Sequence, residues 1–239
     1  MEKEEKKLNQ EALKGMAVLA MTLNHLAHVF LQEGSWNYEI CVAIGYFTAV
    51  TMCYFLVEGY HHTHSKKKYG QRLLFFALIS QIPYQGALEI HQLNMLFTLF
   101  LCFLILVCQE WIMDPGKRSF CVCLLALATG ICDWGGLAAA FTLLFSFTYG
   151  SGRKLLYAFA ADYLLFVLVL VTEYAQTVSW ELAVLHGLFG GVGILVSGVL
   201  LVFFYSGKRS VRKSGFAKWF FYLFYPLHLT CLWIVKVFM

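Results

Sequence analysis

Charge is what this chain has least of. Of its 239 residues only 13% are Asp, Glu, Lys or Arg, against 60% hydrophobic and 17% aromatic. Mean hydropathy is +0.67. A soluble domain carries about 25% charged and about 45–50% apolar residues, so too little polar surface remains to hold this chain in water. That excludes a disordered chain, a nucleic-acid-binding module and a soluble two-domain enzyme. Familiar signatures are missing as well: there is no G-x-S-x-G, no H-E-x-x-H, no Walker loop and no dinucleotide fingerprint. ATP-driven transport and intramembrane serine or zinc proteolysis therefore lack sequence support. No inverted repeat of the kind common in secondary transporters is visible. No low-complexity tract or long linker divides the chain, which reads as a single domain over residues 1–239. No A-x-A cleavage site follows the first apolar run, which predicts a retained helix and not a signal peptide. The eight cysteines have neither metal-type nor redox-type spacing and are expected as small apolar fillers.

What is present is long apolar runs, not the alternation of a lipid-facing barrel strand. A membrane span needs roughly 20 mostly apolar residues. Nine runs fit, near 13–31, 39–58, 72–88, 93–113, 119–131, 136–150, 154–172, 182–205 and 218–238. The expected fold is an all-α polytopic membrane bundle of about nine helices, with residues 119–131 the shortest run. With the N-terminus in the cytoplasm, alternation puts the basic residues on one side. These are Lys3, Lys6, Lys7, Lys14, Lys66, Lys67, Lys68, Arg72, Lys117, Arg118, Arg153, Lys154, Lys208, Arg209, Arg212, Lys213 and Lys218, which is 17 of the 18. Lys236 is the exception. The other side carries Glu33, Glu39, Glu89, Asp133, Glu173 and Glu181. The C-terminus is thus expected outside, and the net charge of +4 reflects a basic cytoplasmic face. Such a face suits anionic lipid headgroups or a phosphorylated cytosolic ligand.

Ionisable side chains inside a bilayer cost about 2.5–3.5 kcal/mol on insertion scales, so each is a functional candidate. His25 sits well inside the first run, beside Asn24 and one turn before His28. Lys14 precedes His25 by eleven residues, which on an α-helix come to within about 20° of three full turns and a rise of roughly 16 Å. One helix face then carries a cation near the cytoplasm and an imidazole in the bundle. That suits a ligand with phosphates in the cytosol and a reactive tip in the membrane. Imidazole titrates near neutrality and can take a proton from an attacking hydroxyl or amine; a hydrogen bond to a neighbouring helix is the simpler reading. Glu58 ends the second run, where it could orient a histidine or hold a cation. His61, His62 and His64 lack the cysteine or carboxylate partners of a metal site, and no metal is expected. Arg72 offers a phosphate a fork of donors, or it snorkels to headgroups. Asn94, Thr98 and Asp162 read equally as interhelical hydrogen-bonding groups. Pro226 frees a backbone carbonyl just before a second mid-membrane histidine, His228. Gly187, Gly190, Gly191, Gly193 and Gly198 are expected to allow close helix packing.

Several short blocks resemble the TraX family, which includes the acetylase of conjugative-pilus subunits. They are Leu13-Lys14, Ala17, Met21 and Asn24-His25; Glu58-Gly59 with His62-Thr63; Tyr69, Arg72-Leu73 and Phe76-Ala77; and Ser80-Gln81-Ile82-Pro83-Tyr84. Asn94-Met95-Leu96-Phe97-Thr98-Leu99, Asp133-Trp134-Gly135-Gly136 and Phe224-Tyr225-Pro226-Leu227-His228-Leu229 complete the set in the family's order. The family looks like a compact branch of the acyltransferase-three type of membrane acyltransferases. Lys14 stands where that larger group has mostly Arg, and Asn24 where the TraX family usually has an acid.

The resemblance implies acetyl transfer from cytosolic acetyl-CoA to an amine or hydroxyl of an exported peptide or surface glycan. On this reading Lys14, Lys66, Lys67, Lys68 and Arg72 meet the phosphates and His25 is the general base. Glu58, Asn94, Asp133 and His228 orient groups or stabilise the tetrahedral intermediate. An acetyl-histidine relay is the mechanistic alternative. The implied setting is a bacterial cytoplasmic membrane crossed many times, with the lipid bilayer as partner and no nucleic acid. Two other classes stay open: a small transporter or exporter with Asp162 and buried histidines as proton relays, and a non-catalytic assembly factor for a surface apparatus.

Overall fold

The fold is that of a computed structural model, which describes residues 8–207 and 215–239, and of 215–218 only the backbone. Among the basic residues, Lys3, Lys6, Lys7, Lys208, Arg209, Arg212 and Lys213 lie outside the described residues, as does the side chain of Lys218. The described chain is helical: α1 Gln10–Phe30, α2 Trp36–His62, α3 Lys66–Leu88, α4 Met95–Trp111, α5 Pro115–Ala128, α6 Leu137–Thr148, α7 Gly152–Tyr174, α8 Trp180–Gly190, α9 Val192–Val199 and α10 Gly215–Phe238. A 3₁₀ turn, Thr129–Ile131, follows α5, and a π-helical stretch, Leu200–Phe204, follows α9. Extended pairing among the described residues is confined to two isolated bridges, Leu8 with Tyr205 and Leu93 with Cys132.

Each expected apolar run holds helix, and α8, α9 and the π-helical stretch form one piece, Trp180–Phe204. Among the described residues four helices are long and apolar enough to cross a membrane: Trp36–His62, Gly152–Tyr174, Trp180–Phe204 and Trp219–Phe238. Met95–Trp111 and Leu137–Thr148 are apolar but shorter. Helix α5 has 14 residues, in keeping with the short run at 119–131, and buries none of them. Local chemistry sets the starts. Asn9, Ser65, Asn94, Asp114 and Ser151 each accept a backbone N–H two or three residues on, and Pro115 follows Asp114 where its missing N–H costs nothing.

The chain divides into two compact units, residues 1–52 with 151–221, and residues 53–150 with 222–239. In the first, α2 lies against α1 through the Thr48 hydroxyl, which donates to the Ala17 carbonyl at 2.7 Å. It meets α9 through Thr51 and Ser197, whose hydroxyl oxygens are 2.8 Å apart. The glycines expected to allow close packing do so. A β-carbon at Gly193 would overlap the Ala43 carbonyl and the Phe47 amide of α2. Gly187, Gly190, Gly191 and Gly198 lie against Val171, Leu170, Tyr163 and Phe159 of α7. In the second unit α4 packs against α3, α5 and α6. Phe103 of α4 receives Tyr60 and Tyr69 edge-on and lies against Gly70, while Gly86 of α3 accommodates Trp233 of α10.

Backbone-to-backbone contact at Gly193 leaves no side chain to move aside. Gly193→Ala should therefore destabilise by about 1–3 kcal/mol, the usual cost of overpacking. Gly15 of α1 has open space around it, so Gly15→Ala should be neutral or stabilise by up to about 1 kcal/mol. Melting temperatures of the two variants in detergent check the contrast.

Candidate functional site

In the first unit, α1 carries Lys14 and His25 on one unbroken helix, as the sequence spacing requires. Lys14 is half-buried, with its Nζ 5.8 Å from the centre of the Phe221 ring. His25 is 7% exposed and belongs to the buried stripe that includes Leu13, Ala17 and Met21. Asn24 packs against Gly45 of α2, where a β-carbon would overlap it. His28 turns to Tyr38, its Nδ1 3.0 Å from the tyrosine oxygen. Nearby elements form a second cluster: the Tyr174 hydroxyl donates to Glu39 at 3.2 Å, and His186 stacks on Tyr174 at 4.6 Å. His186 Nδ1 is 4.0 Å from Glu39 Oε2.

The second unit has two polar regions. One joins the end of α2, the start of α3 and the end of α4. Lys66 and Tyr60 both bind the Glu110 carboxylate, so Lys66 has a partner within the fold. His61 stacks on Tyr149 at 4.3 Å and His62 Nε2 is 3.0 Å from the Tyr149 oxygen. Lys67 and Lys68 are exposed in the first turn of α3, which Ser65 caps. Arg72 sits 5.6 Å from the Tyr69 ring centre and donates to the Tyr222 hydroxyl; its Nε has no hydrogen-bond partner. Glu58 is buried, at 5% exposure, one turn after Tyr54. No group of three or more His, Cys, Asp or Glu able to hold a metal occurs among the described residues.

The other region gathers Asn94, Thr98, Asp133 and His228. Asn94, fully buried, caps α4 by accepting the Leu96 N–H at 3.0 Å. Its amide donates to the Ala77 carbonyl and to Gln81 Oε1, both at 2.8 Å, and its own N–H reaches Gln81 Oε1 at 3.0 Å. Asn94 is thus an interhelical clamp, while Thr98 holds a loop. Thr98 donates to the Asp133 carbonyl at 2.5 Å, and the bridge from Leu93 to Cys132 ties the Asp133 loop to the start of α4. Trp134 takes a positive φ of 59°, and Gly135 leaves no room for a β-carbon beside the Thr129 carbonyl. The half-buried Asp133 feels the hydroxyls of both Tyr84 and Tyr225. His228 is 8% exposed, stacks on Phe224 at 5.0 Å and lies 5.6 Å from the Tyr225 ring. Its Nδ1 is 2.9 Å from the Phe224 carbonyl. Tyr225 therefore neighbours both Asp133 and His228.

Sequence reasoning missed Glu110, Gln81, Tyr84 and Tyr149. Glu110 carried the same signal as Glu58, an acid closing an apolar run. Gln81 and Tyr84 lie in the Ser80–Tyr84 segment that resembles the TraX family, which carries no local mark of their partners. Asp162 departs from the interhelical reading: it is fully buried in α7 and both carboxylate oxygens lack a hydrogen-bond partner.

A family model described as TraX protein matches residues 9–236. The probable fimbrial assembly protein FimC, serogroup H1, of Dichelobacter nodosus is 34% identical over 245 residues, an alignment that covers 95% of each chain. No solved structure matches.

Burial pushes the Asp133 carboxyl from its ordinary 3.8 up to about 6, against the opposing pull of a hydrogen bond from the Trp134 N–H. Between those values the folded protein holds a proton that the unfolded chain has lost. Stability therefore falls as pH rises through this window and levels off above it. Asp133→Asn should remove the fall and melt higher than wild type at neutral pH. Melting temperature as a function of pH for the two proteins checks this.

Proposed function

The chain belongs to the TraX family, and from that premise we propose that it is a membrane-embedded acetyltransferase related to the acyltransferase-three enzymes. It takes the acetyl group of cytosolic acetyl-CoA and passes it to an amine or hydroxyl of an exported peptide or surface glycan. It crosses the membrane nine times, with its N-terminus in the cytoplasm and its C-terminus outside. The single observation that carries this reading is the pairing on α1 of a half-buried Lys14 with a buried His25 three turns further on. A cation followed by a buried base along one helix matches a donor that is anionic at one end and reactive at the other.

In this mechanism Lys14 attracts the donor's phosphates. His25 removes a proton as the acceptor nitrogen or oxygen attacks the thioester carbon. The carbon–sulfur bond then breaks, and the same proton is returned to the departing thiolate, giving the acetylated acceptor and free CoA. Lys67, Lys68 and Arg72 are assigned to anionic groups of the donor. Lys66 has the weaker claim, since Glu110 already neutralises it. Glu58, Asp133 and His228 are the remaining ionisable groups assigned to the reaction. Asn94, spent on its clamp, serves by positioning the start of α4, where Thr98 and Leu93 hold the loop that carries Asp133.

The similarity to a probable fimbrial assembly protein of Dichelobacter nodosus favours a second reading, an assembly factor for a surface filament without chemistry of its own. Release of free CoA separates the two. Purified protein given acetyl-CoA with pilin-like peptides or sugar acceptors should release CoA with turnover, and His25→Ala should lower that rate by about 100-fold or more, the usual worth of a positioned general base. Wild-type turnover in His25→Ala would remove the assigned base. No release with any acceptor, together with loss of surface filaments when the gene is deleted, would favour the assembly factor.

A further inference from the structure

Asp162 lies one residue from the midpoint of α7, inside the buried stripe formed by Leu155, Ala158, Phe159, Phe166 and Leu170. Its exposure is zero and neither carboxylate oxygen has a hydrogen-bond partner. The stripe packs on α8 and α9, with Phe159 against Gly198 and Leu170 against Gly190. The residue between those glycines on the partner face is Ile194, which is itself fully buried and can offer no donor. The hydroxyl pair of this unit, Thr51 with Ser197, is closed on itself. Titratable residues on the packed elements are Glu181 and His186 of α8, and Tyr38, Glu39, Cys41 and Tyr46 in the first half of α2; α9 and the π-helical stretch have none. On α7 itself Arg153 and Lys154 lie two turns or more before Asp162, and Glu173 and Tyr174 three turns after it. Tyr157 is exposed, and Tyr163 turns to Gly191.

An ionised carboxylate in such a place would cost far more than taking up a proton. A cavity of about 390 Å³ between α1, α2 and α8–α9 is lined by residues such as Met16, Phe47 and Leu200, and Asp162 is not among its lining residues. With no exposure and no hydrogen-bond partner, the carboxyl sheds its charge by holding a proton. Two residues beyond Gly198 the helix widens into the π-helical stretch Leu200–Phe204, which also packs against α7. Such widenings recur at functional positions. We propose that Asp162 is a proton-binding site within the membrane, carried as the neutral acid, and that its ionisation loosens the packing of α7 on α9. This stands apart from acetyl transfer and holds whether or not the chain is an enzyme.

The probe is dicyclohexylcarbodiimide, which enters membranes and reacts with protonated carboxyls. The acid oxygen bonds to the carbodiimide carbon and the proton passes to its nitrogen, so the whole reagent is retained. Full-length protein in membranes should gain one reagent mass, mapped to the peptide containing Asp162. The yield should fall severalfold from mildly acidic to alkaline pH, and Asp162→Asn should lose the label. Independently, the melting temperature of wild type should fall with rising pH relative to Asp162→Asn. Diverging melting profiles support the site even where the reagent fails to reach it. Parallel profiles without label at Asp162 would overturn it, as would labelling there that does not depend on pH.

Discussion

Water is absent from the interior of a bilayer, so a polar group placed there must find its partner within the chain or go without. That constraint organises this protein more than any single contact. Asn94 shows it most fully. One side chain caps α4, binds a carbonyl of α3 and shares the amide oxygen of Gln81. Thr48, Thr51 and Thr98 each close one further gap between elements within their own unit. Because such groups are already engaged, the same constraint sorts candidates for chemistry. Asn94 and Thr98 are absorbed by the fold, Lys66 by Glu110, and His61 and His62 by Tyr149. Among the described residues Asp162 stands out as a buried acid left with no hydrogen-bond partner.

The helices were legible because apolar runs near the length of a span leave few alternatives. Their ends followed where a capping residue stood at the right place, as Ser65 does before α3 and Asp114-Pro115 before α5. The glycines between 187 and 198 also announced their role, since small residues are what close helix contacts demand. Less could be read where partners come from far along the chain. Nothing local says that Glu110 meets Lys66, or that the Asp133 loop is tied to the start of α4. The π-helical turn at Leu200–Phe204 lies in an uninterrupted apolar run and has no compositional mark. The division into two units, with its boundaries inside α2 and α10, is likewise invisible in a chain without linkers.

The candidate site was legible as a set of residue types but not as an arrangement. His25 and Lys14 could be related because they share one helix, whose periodicity is known in advance. Asp133 and His228 are ninety-five residues apart, and only the fold brings them near the same tyrosine, Tyr225. Proposed roles therefore rest most firmly on α1.

A donor path along α1 requires that the folded protein bind acetyl-CoA before any acceptor is present. A ligand that binds only the folded form raises apparent stability, by about 2.7 kcal/mol at a hundredfold excess over its dissociation constant. The decisive measurement is the melting temperature of the purified protein titrated with acetyl-CoA. A saturable rise that neither acetate nor adenosine reproduces is the predicted result. No shift at any acetyl-CoA concentration, from protein shown to be folded, would contradict the account.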